Sequence, residues 1–353
     1  MAKSSAALLL DSRAQFQTAL HAWYRREQRP LPWRAAPSLY KTVVSEFMLQ
    51  QTQVATVLPY FDRWLRALPD FAALAAAPEE QVVKLWEGLG YYSRARRLLQ
   101  LARLIVARPA PPRRPADWRE LPGIGPYTAA AVTSIAFGEP AACVDGNVVR
   151  ILARLTGESR RFRDGAAAAK FFTPLADALI VGAAPGDHNQ AMMELGATVC
   201  LRATPRCPAC PVAAFCVARA RGTPGKYPRL QPKIMVRRAR ARAWCEWRGQ
   251  LLLRRGHAQA RSLAGLCELP ELSDLGIEPR PDARLAVRRR TITRFRIEES
   301  IYRVRADRRL LARIARNDAL EWVAHDQLDR VTLSGPHRRW IADLLQRPGK
   351  PAT

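Results

Sequence analysis

Leu121-Pro-Gly-Ile-Gly-Pro-Tyr-Thr-Ala129 is the stretch from which the fold is read. Two glycines flank Ile124 just ahead of a small-residue helical pattern at 126–137. Glycine permits a tight turn and close approach of a ligand to the backbone. The first N–H groups of the helix that follows lack partners inside it, so the turn can receive an anion. In a dinucleotide-binding fold a Gly-x-Gly turn follows a strand. This one lies between helical patterns, which argues against such a fold.

Outward from the turn, apolar residues recur at spacings of three and four over 11–27, 40–66, 78–86, 93–107, 147–156, 166–182 and 187–199. Pro109-Ala-Pro-Pro-Arg-Arg-Pro115 reads as a surface loop and Gly222-Thr-Pro-Gly-Lys-Tyr-Pro-Arg-Leu-Gln-Pro232 as a linker. Beyond it the texture changes: 243–247, 251–254 and 291–305 are expected as strands and 337–346 as a closing helix. A helical part followed by a smaller α+β domain is the architecture expected.

The 353 residues suffice for two or three domains, and 48% apolar with 25% charged residues is ordinary for a globular protein. No run approaches the roughly 20 apolar residues of a membrane span, and the stretch from Ala6 to Leu10 is too short for the core of a signal peptide. Membrane, secreted and disordered classes are set aside, and a cytoplasmic location is expected. The formal charge of +26 is carried by fifty arginines and seven lysines against 31 acids, spread over both halves of the chain. Codon bias explains arginine over lysine but not basic over acidic. Such an excess repels itself unless a polyanion neutralises it, so nucleic acid is the expected partner.

Four of seven cysteines are bunched, Cys200, Cys207, Cys210 and Cys216, spaced C-x6-C-x2-C-x5-C. Thiolates this close can converge on one metal centre. Zinc sites usually carry two C-x2-C pairs, whereas one short pair with outer cysteines on both sides suits a [4Fe–4S] cluster. Fixing the loop between the first two ligands would present Arg202 and Arg206 to a phosphate backbone. Cys143, Cys245 and Cys267 are expected as packing residues.

The 121–129 string resembles the helix-hairpin-helix of DNA repair glycosylases. Followed by Val144-Asp-Gly-Asn-Val148 and the cysteine run, it is similar to the glycosylases that carry an iron–sulfur cluster. Further strings are Ser45-Glu-Phe-Met-Leu-Gln-Gln-Thr-Gln-Val54, Gly88-Leu-Gly-Tyr-Tyr-Ser-Arg-Ala-Arg96, Leu31-Pro-Trp-Arg34 and Asn189-Gln-Ala-Met-Met-Glu-Leu-Gly196. With these the chain resembles the adenine DNA glycosylase (MutY) family from about residue 15 to 220, and more loosely beyond.

The resemblance implies a mainly α helix-hairpin-helix glycosylase fold with a C-terminal α+β Nudix-like domain. Its parts would be an N-terminal helix (1–33) packing on the cluster domain, a six-helix domain (34–140), an iron–sulfur cluster domain (141–222), a linker (223–232) and a lesion-recognition domain (233–353). It also implies a monomeric, bacterial-type, nucleoid-associated repair enzyme. That enzyme binds double-stranded DNA, flips adenine mispaired with 8-oxoguanine or guanine, and hydrolyses its N-glycosidic bond. No membrane is involved.

Breaking that bond needs a proton for the leaving base and a negative charge beside the cationic sugar, as with the paired carboxylates of glycosidases. Glu46 is expected on a helix face with Gln50 and Gln53, at i, i+4 and i+7. Beside Phe47, Met48 and Leu49 it can be desolvated into a general acid; alternatively it is an ordinary surface carboxylate. The resemblance makes Glu46 the acid, Asp145 the stabiliser of the sugar cation, and Asn147 a group placing water or the carboxylate. Residues Asp145 and Asn147 also suit a helix N-cap. Related bifunctional enzymes carry a nucleophilic lysine where this chain has Tyr127, and no lysine occurs between Lys84 and Lys170. A monofunctional enzyme is therefore expected, with Tyr127 on the Asp145 side of the sugar.

Base flipping needs a wedge. Gln51 and Tyr91 are the candidates, with Gln50, Gly123, Gly125, Arg94, Arg202, Arg206, Thr293 and Arg294 as further DNA contacts. Trp33, Arg34, Gln190 and Glu194 resemble the family's adenine-pocket residues, and Met192 and Met193 are expected in the core. A Nudix catalytic box is missing. The family's Gly-Leu-Trp-rich segment corresponds to 261–270 without the Trp, and its Phe-Ser-His loop to Ile292-Thr293-Arg294. Weakened dependence on the oxidised guanine is expected, with arginines compensating on phosphate. Two rivals are a lyase-active glycosylase for oxidised pyrimidines and a non-enzymatic DNA-binding iron–sulfur protein.

Overall fold

The computed structural model describes residues 4–257 and 265–346. In chain order the helices are α1 (Ser5–Asp11), α2 (Arg13–Glu27), α3 (Pro32–Ala35), α4 (Leu39–Leu49), α5 (Val54–Ala67), α6 (Phe71–Ala76), α7 (Glu79–Leu85), α8 (Ser93–Val106), α9 (Pro115–Arg119), α10 (Pro126–Phe137), α11 (Gly146–Thr156), α12 (Gly165–Ile180), α13 (Pro185–Thr198), α14 (Val217–Ala220), α15 (Arg308–Ile314) and α16 (Gly335–Leu345). The strands are β1 (Arg161–Phe162), β2 (Arg229–Leu230), β3 (Val236–Trp247), β4 (Gln250–Arg255), β5 (Cys267–Glu268), β6 (Arg284–Ile292), β7 (Phe295–Arg305) and β8 (Leu320–Ala324). None of the described helices is long and apolar enough to cross a membrane.

These elements form two compact units, one of residues 1–76 with 97–232, the other of 77–96 with the chain from Lys233 onward. The segment 77–96, expected inside one helical domain with the rest of 34–140, packs instead with the C-terminal chain.

In the first unit α10 is buried on every side from Thr128 to Ser134, as its even covering of apolar and small residues requires, and packs against α4, α9 and α13. Pro126 starts it, where a missing N–H costs nothing, and Gly138 ends it in the left-handed conformation. The turn before it sits hard on α4: a Cβ at Gly123 would lie 2.7 Å from the buried Phe47 ring, and φ there is +81°. α11 starts at Asp145, whose side chain accepts from the Asn147 and Val148 N–H groups. Phe16, Leu20, Trp23 and Tyr24 of α2 share a core with Val148–Leu155 positions of α11, with Met192 and Leu195 of α13, and with the partly buried Cys200, Cys210 and Cys216.

The pattern over 40–66 is two helices, not one. α4 stops at Leu49, Gln51 takes φ +58°, and α5 begins at Val54. Apolar periodicity continues across the break, and no Gly or Pro marks it, so periodicity alone reads through it.

The second unit holds a sheet in the order β5-β4-β3-β7-β6, with β8 also on β4. β3 and β7 run parallel, and β6 and β7 antiparallel. The stretch 291–305, expected as one strand, is the end of β6, a turn at Thr293 (φ +52°) and Arg294, and then β7. Threonine is a strand former without turn signature, which concealed the hairpin. Of the 261–270 segment, residues 261–264 lie outside the described residues.

Arg242 of β3 is 1% exposed and sits among carboxylates: Nε is 2.6 Å from Glu299, Nη2 3.2 Å from Glu268, and Nη1 donates to the Leu269 carbonyl. Arg290 pairs with Glu299 at 2.5 Å, and the buried His337 accepts from Leu269 N–H through Nδ1. Burial pushes Glu299 up, but His337, Arg242 and Arg290 outweigh it and hold the carboxyl at about 2. Arg242→Met should destabilise the protein by about 3–5 kcal/mol, because it strands buried carboxylates. The sign for pH follows from the depressed Glu299: its contribution is complete above the ordinary carboxylate range and is lost as pH falls toward 2. Urea unfolding of wild type and R242M at pH 7 and pH 3 measures both, and the gap between them should shrink at pH 3.

Candidate active site

The first unit contains a cavity of about 560 Å³ walled by α3, α4, the 50–53 break, α10, the start of α11 and α13. It gathers Trp33, Arg34, Glu46, Tyr127, Asp145, Asn147, Gln190 and Glu194, residues spread over more than 160 positions. Gln53 and Thr52 line it too.

Glu46 lies on the most buried stretch of α4 and is itself 6% exposed. Burial pushes its carboxyl up to about 7; the Tyr127 hydroxyl donates to it and Arg34 attracts its charge, both pulling down, while Asp145 pushes up. Glu46 is therefore substantially protonated at neutral pH. The expectation that Gln50 and Gln53 share its helix face is corrected, because α4 ends at Leu49, before both. Gln50 caps α4 and its Nε2 lies 3.4 Å from the Thr128 hydroxyl, while Gln53 begins the next helix.

Asp145 reaches the cavity from the N-cap of α11, so capping and site placement coincide. Oδ1 accepts from Asn147 N–H and Val148 N–H, both at 2.8 Å, and Oδ2 accepts from Asn147 Nδ2 at 2.9 Å. Burial raises its pKa; these three hydrogen bonds and Arg150 resist. Asn147 is in turn held by Arg150, whose Nη2 donates to Asn147 Oδ1 (2.9 Å) and to the Gly196 carbonyl (2.8 Å). A Cβ at Gly196 would come within 2.6 Å of Asn147 Cβ, so α13 approaches α11 here only through glycine.

The Tyr127 hydroxyl lies against Glu46 and 2.9 Å from the Met193 sulfur, with Asp145 near enough to act on its charge. Burial raises its own pKa well above the ordinary phenol value, so it stays a neutral donor. Met192 is core, but Met193, expected with it, is a cavity wall. Adjacent helix positions point about 100° apart, and periodicity did not say which faced inward.

Glu194 is wholly buried, and both its oxygens are already taken. Arg29 grips it through Nε (2.6 Å) and Nη2 (3.0 Å), and Arg34 Nη2 adds a contact at 2.9 Å. Burial raises its pKa, but the two guanidiniums win and hold it below the usual range. Arg29 is a site residue that the sequence reading missed; its nearness to Trp33 and Arg34 in the run Arg29-Pro-Leu-Pro-Trp-Arg34 was the available signal. Arg34 Nε is buried with no partner.

The other expected contacts are dispersed. Gln51 is exposed, as are Arg202 and Arg206, and Gly123 and Gly125 form the turn before α10. In the second unit, Tyr91 (φ +48°) is 43% exposed, and Thr293 and Arg294 lie at an exposed hairpin tip. Arg94 is corrected: it is 6% exposed and Nη2 donates to the Leu89 and Gly90 carbonyls at 3.1 Å, so it braces the turn and is not available to phosphate.

All four bunched cysteines line one small cavity. Arg154, 2% exposed, closes it: Nη1 donates to Cys200 Sγ at 3.2 Å, and the guanidinium also serves the Leu201, Arg202 and Pro224 carbonyls. Backbone N–H groups of Val212 and Arg219 face Cys210 and Cys216. Among the described residues no group of three His, Cys, Asp or Glu has the spacing to hold a metal ion. Cys143, Cys245 and Cys267 are buried.

Residues 44–172 match the family described as HhH-GPD superfamily base excision DNA repair protein. The human adenine DNA glycosylase is 45% identical over 217 residues, covering 58% of this chain and 40% of that protein. The adenine DNA glycosylase of Mycobacterium tuberculosis is 41% identical over 215 residues, covering 59% of this chain and 68% of the relative. The chain belongs to the adenine DNA glycosylase family. A thermostable thymine-DNA glycosylase of known structure shares the helical fold, with TM-score 0.52 and 27% identity over 60% of this chain and 98% of that one. The match to the human family member spans less than half of its length.

A direct check on the buried acid is a carbon-13 NMR titration of labelled glutamate carboxyls, with Glu46→Gln assigning the signal. Glu46 should titrate near 7, and Tyr127→Phe should move it upward, since the lost hydroxyl stabilises the carboxylate. A downward move would contradict the geometry.

Proposed function

We propose that this protein is a monofunctional adenine DNA glycosylase that acts on adenine opposite 8-oxoguanine or guanine in duplex DNA. The observation that carries the reading is Glu46, buried beside Tyr127 with its carboxyl pushed up to about 7, in one cavity with an Asp145 held by three hydrogen bonds. Acid-assisted glycosidic cleavage requires a proton for the leaving base and a carboxylate beside the sugar, and the cavity brings together two carboxyl groups in different surroundings, one beside a phenol and one held by three N–H donors.

Glu46 delivers its proton to a ring nitrogen of the flipped base. The C1′–N9 bond breaks, its electrons leave with adenine, and the sugar becomes an oxocarbenium ion. Asp145 stabilises that cation, and water then adds to C1′ and yields its proton to the Glu46 carboxylate, giving adenine, an abasic site and the acid in its starting state. The partnerless Nε of Arg34 is a free donor for the base edge. No lysine lines the cavity, and Tyr127 stays protonated, so no side chain there supplies an amine for strand cleavage.

Cys200, Cys207, Cys210 and Cys216 are the residues that would hold a [4Fe–4S] cluster: four thiols line one cavity, with Arg154 and backbone N–H groups as donors to sulfur. When bound, the cluster would fix the loop that exposes Arg202 and Arg206 to a phosphate backbone. The C-terminal sheet unit is read as a Nudix-like lesion-recognition domain whose Thr293–Arg294 tip faces the opposite base. With arginine there, binding should depend only modestly on whether that base is oxidised.

Single-turnover adenine release is the test. Wild type should release adenine from both mispairs, with a rate level below about pH 7 and falling above it as Glu46 ionises. Glu46→Gln should lose roughly 10²–10⁴-fold. No release from either duplex defeats the proposal. With an uncleavable adenine analogue, a Kd preference of several hundredfold for 8-oxoguanine would refute the weakened discrimination.

A further inference from the structure

The turn that presents Tyr91 is gripped by the C-terminal chain. Glu87, 12% exposed, accepts through Oε1 from the Leu333 N–H (3.0 Å) and from Arg338 Nε (2.9 Å), and through Oε2 from Lys84 Nζ (2.6 Å). Lys84 and Arg338 both also donate to the Val331 carbonyl, at 3.0 and 2.7 Å. Tyr92, buried, donates from its hydroxyl to the Leu333 carbonyl (3.0 Å) and accepts from the Gly88 N–H (3.3 Å). From the inner side, Trp86 Nε1 and Arg94 Nη2 both donate to the Gly90 carbonyl. A non-glycine residue at positive φ persists only where its surroundings over-determine it. Tyr91, at +48°, is such a residue, and most of the groups fixing its turn converge on segment 328–338.

We infer that Glu87 and Tyr92 are positioning residues through which the C-terminal chain sets the Tyr91 turn, so that this chain governs base flipping as well as reading the opposite strand. The inference rests on the proposed glycosylase function and on Tyr91, rather than the other candidate Gln51, acting as the wedge. It assigns segment 328–338 a part in the step that precedes chemistry, separate from the Thr293–Arg294 tip.

The test is a double-mutant cycle on the full-length protein, reading single-turnover adenine release and the fluorescence of a 2-aminopurine at the target position. Glu87→Gln keeps the side chain's shape but places an amide among donors, and Tyr92→Phe removes a single oxygen. Each should slow release roughly tenfold and reduce the unstacking signal, while the pH at which the rate falls stays that of wild type. In a Tyr91→Ala background neither should slow release further, because coupled residues lose their effect together. Additive losses, or losses with wild-type unstacking, would overturn the clamp and leave the wedge intact. A Tyr91→Ala protein with undiminished release would overturn the wedge and the clamp with it. Thermal unfolding separates Glu87→Gln from a folding defect; were its melting point to fall, Tyr92→Phe carries the test.

Discussion

A carboxyl group taken out of water is the constraint around which the first unit is arranged. Glu46 sits on a helix whose neighbours are buried from Thr42 to Met48, against a second helix buried on every side from Thr128 to Ser134. A single such group favours its neutral form, and a hydroxyl partner moderates the shift without cancelling it. That balance depends on how closely α4 and α10 pack, which the glycine turn controls. Gly123 lets the hairpin lie on Phe47, the residue next to Glu46, with no room for a side chain. The glycine turn and the helix that carries the acid are thus coupled through one contact.

The arginines divide into two populations. The total charge suggests a surface prepared for a polyanion, yet Arg94, Arg150, Arg154 and Arg242 are all at most 9% exposed. Each acts as a brace whose fork of donors serves several carbonyl or carboxylate oxygens at once, a geometry lysine does not offer. Arg154 ties the cysteine loops together, Arg150 holds Asn147 against Asp145, Arg94 fixes the Tyr91 turn, and Arg242 gathers the carboxylates of the sheet. Part of the basic charge is therefore structural, and the charge at the surface is smaller than composition implies.

Spacing made much of the site legible: the N-cap at Asp145, the small-residue helix after the turn and the four cysteines are local patterns set by local chemistry. Where reading failed, the deciding contact was distant in sequence. Nothing near Met193 says that it meets Tyr127, nothing near Arg29 says that it meets Glu194, and a polar stretch without Gly or Pro hid the break at Gln51. Arg94 looks like its exposed neighbours until the turn it braces is seen.

The sequence by itself determined the helical first unit, the α+β character of the second, the clustering of four cysteines and the N-cap at Asp145, because periodicity, capping and residue spacing are properties of short segments. Only the tertiary structure decided the protonation of Glu46, the direction of Tyr127 and the attachment of residues 77–96 to the C-terminal chain. Those outcomes depend on desolvation and on hydrogen-bond partners tens to hundreds of residues away, and neither is written in any one segment.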